Sequence, residues 1–187
     1  MPNTVMQSSK SVEWYTPSKY VEAARNTMGS IDLDPASCAF ANRIVKANAF
    51  FSERGLESQW FGNVFCNPPY GRRDLYINKK GEEATKGPSN QMLWSQKMIQ
   101  SHKSGEIQQG ILLVNAQTCE RWFQPLWNYS ICFTNHRIKF IDQNGEIQKQ
   151  PAHGNAFIYF GNNTEAFEEN FYRFGTIYMP YVLYHPH

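Results

Sequence analysis

The sequence lacks the signatures of several large protein classes. It has no apolar run long enough to span a membrane, and its first residues, MPNTVMQSSK, contain no signal-peptide hydrophobic core. The four cysteines are scattered without a Cys-x-x-Cys pair, which favours free thiols in a reducing cytoplasm over zinc ligands or disulfides. Neither the glycine-rich dinucleotide motif nor the P-loop motif occurs, which argues against both kinds of nucleotide site. We therefore expect a cytoplasmic protein without a metal.

The composition that remains is that of an ordinary folded domain. Hydrophobic residues make up 41% and charged residues 18% of the 187 residues, enough for one domain with a real core. The net charge of +2 is too small to indicate nucleic-acid binding, so any contact with a polyanion must come from a local patch. We expect residues 1–11 to be flexible and residues 12–187 to form a single domain. Its least core-like stretch, at about 71–90, is predicted to be a long loop on the substrate side.

Strand-like and helix-like segments alternate along most of the chain. The predicted strands are 31–34, 49–51, 62–66, 110–115, 129–133, 137–141, 155–160 and 176–179. The predicted helices are one capped by Thr16 with Pro17 as its first residue, 37–46, one capped by Ser89, 122–127 and 164–174. The alternation predicts a compact α/β fold with a mostly parallel sheet and helices on both faces. In such sheets, ligands bind beyond the carboxyl ends of the strands.

The motif with the most chemical content is Asn67-Pro68-Pro69-Tyr70, directly after the predicted strand 62–66. The asparagine oxygen can accept a hydrogen bond from an amine, and the stiff proline backbone can hold its carbonyls as further acceptors. The tyrosine ring can stack on a planar base. The structural alternative is a proline-rich turn, but the combination favours methylation of an exocyclic amine.

A second motif, Asp34-Pro35-Ala36-Ser37, ends another predicted strand. Its carboxylate could accept hydrogen bonds from an amino group or hydroxyl of a polar cofactor, and the helix that follows would favour a cofactor carboxylate. An Asp-Pro turn with a helix cap is the structural alternative. Because Asp34 and Asn67 both end strands, one crevice can hold both.

These motifs belong to an ordered set that covers roughly residues 12–180. In this set the sequence resembles the phage-type, Dam-like family of DNA adenine-N6 methyltransferases. The set consists of Glu13-Trp14-Tyr15-Thr16-Pro17, Asp32-Leu33-Asp34-Pro35-Ala36-Ser37, Gly55-Leu56 with Trp60, Cys66-Asn67-Pro68-Pro69-Tyr70-Gly71, Arg121-Trp122-Phe123, Arg137-Ile138-Lys139-Phe140 and Asn155-Ala156-Phe157-Ile158-Tyr159-Phe160.

The resemblance implies a compact, Rossmann-like methyltransferase fold that uses S-adenosylmethionine and no metal. It implies a flipped-out adenine stacked on Tyr70, with Asn67 and the Pro68 carbonyl accepting from its N6 amine, so that Asn67, Pro68, Pro69 and Tyr70 are the catalytic residues. The predicted cofactor-binding residues are Tyr15, Thr16, Pro17, Asp34, Pro35, Ala36 and Asn67. The chain departs from the family pattern at Arg54, where an acidic residue is usual, although Glu53 precedes it. No acidic contact to the adenine or cofactor is therefore assigned to this segment. Only 33 positions separate Asp34 from Asn67, a short spacing for a methyltransferase with full second and third motifs, so no residue is assigned to the cofactor ribose.

The resemblance implies double-stranded DNA as the partner. It also implies that a phage or mobile element encodes the protein, which would act in a bacterial cell. We expect a monomer. Arg72, Arg73, Lys79, Lys80 and Arg121 are the candidate phosphate contacts. Two alternatives stay open: methylation of RNA adenine or of a protein glutamine amide, and a catalytically silent relative that binds DNA or a partner protein. The recognition sequence does not follow from the motifs.

Overall fold

The computed structural model describes residues 14–70, 88–149 and 153–180, together with the backbone of 75–77 and 83–85. Its four α-helices in these parts are α1 (Ser18–Met28), α2 (Ala39–Val45), α3 (Asn90–Lys103) and α4 (Thr164–Phe171). Ser89 caps α3 as predicted, since its hydroxyl accepts a hydrogen bond from the Met92 amide at 3.2 Å. No helix within the described residues is long and apolar enough to cross a membrane.

Within the described residues, nine strands form two sheets. The strands are β1 (Leu33–Asp34), β2 (Ala49–Phe50), β3 (Asn63–Cys66), β4 (Leu75–Ile77), β5 (Glu83–Thr85), β6 (Gln109–Asn115), β7 (Ser130–Thr134), β8 (Asn155–Phe160) and β9 (Gly175–Tyr178). Seven of them form one sheet in the order β2-β1-β3-β6-β8-β7-β9, and β4 pairs with β5 as a separate antiparallel ribbon.

The seven-stranded sheet is mixed, which corrects the expectation of a mostly parallel one. The pairs β1–β2, β1–β3 and β3–β6 are parallel, whereas β6–β8, β7–β8 and β7–β9 are antiparallel. Strand β8 follows β7 without an intervening helix, so it can pair antiparallel with β7 and insert beside β6. Alternation of strands and helices along the sequence does not reveal such an insertion.

Helices cover both faces of this sheet, as predicted. On one face, α1 and α4 contribute Tyr20, Val21, Phe167 and Phe171 to a core with the sheet residue Phe157. On the other face, α3 contributes a second core with Trp94 and Met98, packed against strand residues such as Leu112 and Ile158. Side chains of β6 and β8 alternate between the two cores, as the period of a strand requires. The chain is thus an α/β protein compatible with a Rossmann-like methyltransferase fold.

The start of α1 differs from the prediction. Thr16 does not cap the helix, and Pro17 occupies the N-cap position without a side-chain hydrogen bond, so the helix begins at Ser18. The capping rule failed here because residues 14–16 belong to a tertiary contact instead: Tyr15 pairs with Ile141, its amide donating to the Ile141 carbonyl at 2.7 Å. Backbone hydrogen bonds to a distant segment override a local preference.

Three other segments also differ. The predicted strand 137–141 forms no ladder among the described residues, where its pairing is limited to isolated bridges of Ile141 with Tyr15 and Ile147. The predicted helix 122–127 is a 3-10 helix, Gln124–Asn128, with Pro125 in its first turn. The predicted loop 71–90 contains the short ribbon of β4 and β5.

Candidate active site

A cavity of about 420 Å³ opens beyond the carboxyl ends of β1 and β3, the place where an α/β sheet binds ligands. Because β1 and β3 are parallel neighbours, the residues that follow them meet at one edge of the sheet. Nine of the residues predicted from the sequence line this cavity: Tyr15, Thr16, Asp34, Pro35, Ala36, Asn67, Pro68, Pro69 and Tyr70. Pro17, the tenth, is not among the lining residues.

The amide of Asn67 is held in one orientation. Its Nδ2 donates to the backbone carbonyl of Trp14 at 3.0 Å, and its Oδ1 accepts from the hydroxyl of Tyr70 at 3.0 Å. An amide nitrogen that faces a carbonyl cannot exchange places with the oxygen without losing that hydrogen bond. The oxygen therefore faces the Tyr70 side of the cavity and retains capacity to accept a second hydrogen bond.

Tyr70 is anchored at both ends of its side chain. Its ring meets the buried ring of Phe140 edge-on, with centroids 6.1 Å apart, and its hydroxyl is bonded to Asn67. Burial raises the pKa of the Tyr70 hydroxyl, and the nearby Cys66 thiol raises it further, so the group remains a protonated donor. The ring is half-buried and lines the cavity.

Asp34 is a buried carboxylate with few partners. Its side chain is 3% exposed, and its Oδ1 accepts from the Ala36 amide at 3.2 Å. Burial raises the pKa of Asp34 to about 7, against the smaller lowering effects of the Ala36 amide and the Ser37 hydroxyl. No lysine or arginine in the described part of the chain forms an ion pair with it. A buried anion without a cation is costly unless a ligand supplies the charge.

Thr16 adds a second under-partnered group to the same cavity wall. Its side chain is 3% exposed, and its Oγ1 is buried without a hydrogen-bond partner. Buried hydroxyls in folded proteins usually have partners, so each exception calls for an explanation. A polar ligand in the cavity would provide one.

Sequence reasoning noted Glu53, Arg54 and Gly55 in the segment after β2 but assigned none of them to the site. Residues 51–55 line the cavity, and both Glu53 and Arg54 are among them. Arg54 adopts a left-handed backbone (φ 54°), and its carbonyl accepts from the amides of Glu57 and Ser58, which fixes a tight turn. The signal was available, because this segment follows the carboxyl end of a strand that runs parallel to β1.

Gly55 and Trp60, which the sequence showed only as a motif, have a structural explanation. A Cβ at Gly55 would lie 1.9 Å from the Pro35 carbonyl oxygen, so only glycine lets the 51–55 segment approach the Asp34 turn this closely. The indole of Trp60 donates to the Gly55 carbonyl at 2.7 Å and holds the segment there. The pair shapes the cavity wall.

Of the predicted DNA contacts, Arg121 lies in the described part of the chain, and it does not line the cavity. Arg121 is exposed in the turn after β6, at the same edge of the sheet as Asn67. Arg72, Arg73, Lys79 and Lys80 lie outside the described residues. Among the described residues, no three histidine, cysteine, aspartate or glutamate side chains are grouped so as to hold a metal ion.

Comparison with known protein families identifies this combination of fold and site. The family model of DNA N-6-adenine-methyltransferase (Dam) matches residues 3–170, which include every strand end and loop of the cavity. Comparison with curated proteins and with solved structures gives no match. The match covers most of the 187 residues, and the chain belongs to the DNA N-6-adenine-methyltransferase (Dam) family.

Proposed function

We propose that this protein transfers a methyl group from S-adenosylmethionine to the N6 amine of an adenine flipped out of duplex DNA. One observation carries the proposal: a single cavity joins Asp34 to Asn67-Pro68-Pro69-Tyr70, with the Asn67 amide held in a fixed orientation. Family membership supports DNA adenine-N6 methylation in general. The cofactor, the flipped base and the roles of individual residues are the proposed parts.

The cofactor end of the cavity fits a ligand with a cationic and a polar part. Asp34 would accept from the ammonium of the methionine moiety, which would offset the cost of its burial. The unpartnered Thr16 hydroxyl would bond a polar group of the same ligand, and Glu53 is the carboxylate that the cavity offers after β2 for a ribose hydroxyl. The volume of about 420 Å³ lies within the range of small-molecule sites. When bound, S-adenosylmethionine supplies an electrophilic methyl group.

The base end of the cavity offers acceptors and an aromatic surface. Asn67 Oδ1 and the Pro68 carbonyl would accept from the N6 amine and draw its lone pair out of conjugation with the ring. The Tyr70 ring would stack on the base, a contact that tolerates any planar face. The work of the protein is therefore positioning and preorganised dipoles, and no residue forms a covalent bond.

The test of this function is methyl transfer from a labelled cofactor. Wild-type protein should label adenine in duplex DNA, whereas Asn67→Ala should lose transfer while its cofactor affinity, measured by calorimetry, stays within a few-fold. Asn162→Ala is the matched control, because Asn162 is exposed and distant from the cavity lining. Its transfer rate should equal that of the wild type.

The same assay separates the alternatives. If RNA or a protein glutamine is labelled and duplex DNA is not, the proposal that duplex DNA is the substrate is contradicted. Absence of cofactor binding at high concentration would support a silent DNA-binding relative. Activity that survives in Asn67→Ala would remove Asn67 from the role of amine acceptor.

A further inference from the structure

Residues 137–140 have two different sides. Ile138 and Phe140 are 0% and 6% exposed and pack into the core beneath the sheet face that carries α1 and α4. Arg137 and Lys139 alternate with them and are exposed. Because exposed and buried side chains alternate along 137–140, as they do on the two sides of a strand, the two cations share the solvent side. The motif formed by residues 137–140 was part of the set that carries the family resemblance, but its residues do not line the cavity.

The position of the segment is fixed next to the base end of the cavity. Ile141, which follows it, pairs with Tyr15 through two backbone hydrogen bonds of 2.7 and 3.0 Å. The Phe140 ring packs edge-on against the ring of Tyr70 and supports it, with the two ring centroids 6.1 Å apart. The Phe140 carbonyl accepts from the Gln148 amide at 2.8 Å, which holds the other edge of the segment. Lys139 is thus the immediate chain neighbour of the residue that supports Tyr70.

The charge of Lys139 is not neutralised within the described part of the chain. Elsewhere, Lys97 pairs with Glu106 at 3.4 Å, but no such ion pair involves Lys139. The nearest acidic residue in the chain, Asp142, uses its Oδ1 to accept from the amides of Asn144 and Glu146 at 2.8 Å each. Glu146 is exposed on that turn and is the other acidic group of the hairpin. The charge of Lys139 therefore remains available on the solvent side of 137–139, with the nearest carboxylate in the sequence engaged by its own turn.

We propose that Arg137 and Lys139 contact phosphates of the DNA strand beside the flipped adenine. The inference rests on the proposed function, because a base stacked on Tyr70 brings its own backbone past the segment that supports that ring. Phosphates are the complementary charge, and Arg and Lys contacts to them orient a duplex without reading its sequence. These two residues would set the register of the strand while the cavity binds the base.

Salt dependence of DNA binding tests the proposal, because each lost phosphate contact lowers the magnitude of the slope of log K against log salt by about 0.9. The probe is a mixed-sequence duplex of about 30 base pairs, titrated between about 50 and 200 mM salt. Arg137→Gln and Lys139→Gln should each lower the slope by about 0.9 and weaken binding several-fold, and the double variant should lower it by about 1.8. Affinity for S-adenosylmethionine alone should stay within about twofold in all three.

The matched control is Lys103→Gln. Lys103 is exposed at the last residue of α3, which precedes β6 and so ends at the opposite edge of the sheet. This variant should keep the wild-type slope. Unchanged slopes in the 137 and 139 variants, or weaker binding at an unchanged slope, would overturn the proposal. Methyl transfer by the wild type is measured alongside: transfer to DNA with unchanged slopes contradicts only this inference, whereas absence of transfer contradicts the proposed function itself.

Discussion

Carboxylates at the two ends of the parallel strands differ in their hydrogen bonds. The side of the sheet where β1 and β3 begin is called the amino edge here, and the side where they end is called the carboxyl edge. At the amino edge, Asp32 accepts hydrogen bonds from the Asn63 amide at 2.8 Å and from the Asn48 side chain at 2.9 Å. Two residues later, at the carboxyl edge, Asp34 is more deeply buried and accepts from the Ala36 amide at 3.2 Å. Asp32 is thus surrounded by hydrogen-bond donors, whereas Asp34 has few.

The same contrast extends along both edges. At the amino edge, Glu106 accepts from the Trp60 amide, the Ser101 hydroxyl and Lys97; burial opposes these contacts, but together they lower the pKa of Glu106. At the carboxyl edge, Thr16 has a buried hydroxyl without a partner. Satisfied polar groups stabilise a fold, whereas under-partnered ones are a cost that a ligand can relieve. From this difference we expect ligands to bind at the carboxyl edge.

The largest expected effect comes from exchanging the two aspartates for asparagine. Asp34→Asn should weaken S-adenosylmethionine binding by about 30-fold or more, because removing one partner of a buried charge pair costs roughly 2–5 kcal/mol. Without cofactor at pH 8, the variant should be at least as stable as the wild type, because it no longer buries an ionised carboxylate. Calorimetry and thermal unfolding measure the two effects.

Asp32→Asn is the control from the other edge. It should keep cofactor affinity and lose about 1–3 kcal/mol of stability, because the Asn63 amide loses a charged acceptor. If Asp34→Asn loses stability and keeps its cofactor affinity, the distinction between the edges is wrong.

A second pair of variants compares a tyrosine from each edge. Tyr70→Ala should weaken binding of the target base by about 10- to 100-fold, the range of base–aromatic stacking, with a smaller effect on cofactor affinity. Tyr159→Phe should lower stability by about 1–2 kcal/mol and leave methyl transfer unchanged, because the Tyr159 hydroxyl donates to Gln109 at 2.6 Å in the amino-edge network. DNA-binding titrations and unfolding curves provide the measurements. Equal losses of base and cofactor affinity in Tyr70→Ala would count against stacking.

The carboxyl edge was also the part of the site that the sequence predicted best. Asp34 and Asn67 each follow an apolar strand, and parallel strands bring such residues together, so their meeting in one cavity needed no tertiary information. The strand Asn155–Phe160 was predicted with the bounds that the structure shows, because a short apolar run rich in aromatic residues is typical of a buried strand. For these elements, the local sequence pattern was enough to predict the structure.

The remaining contacts depend on the tertiary fold. The acceptor that orients Asn67 is the backbone carbonyl of Trp14, 53 positions away, and a carbonyl leaves no mark in a sequence. Thr16 fits the rules for a helix cap, but pairing of Tyr15 with Ile141 places it on the cavity wall instead. The insertion of β8 beside β6, which makes the sheet mixed, likewise depends on pairing between distant strands.

The smallest expected effect is a pH dependence that should be opposite for binding and for stability. The pKa of Asp34 is about 7 in the folded protein, above its ordinary value of 3.8, so the folded state binds the proton more tightly than the unfolded state. Its contribution to stability is therefore complete below about pH 4 and is lost as the pH rises to about 7. The cofactor ammonium prefers the ionised carboxylate, so affinity should fall by up to about tenfold between about pH 7 and pH 6. Calorimetry and unfolding across this range, each taken relative to Asp34→Asn, isolate the titration of this group. Binding and stability that rise together with pH would show that groups within the protein stabilise the Asp34 carboxylate, and would remove the difference between the two edges.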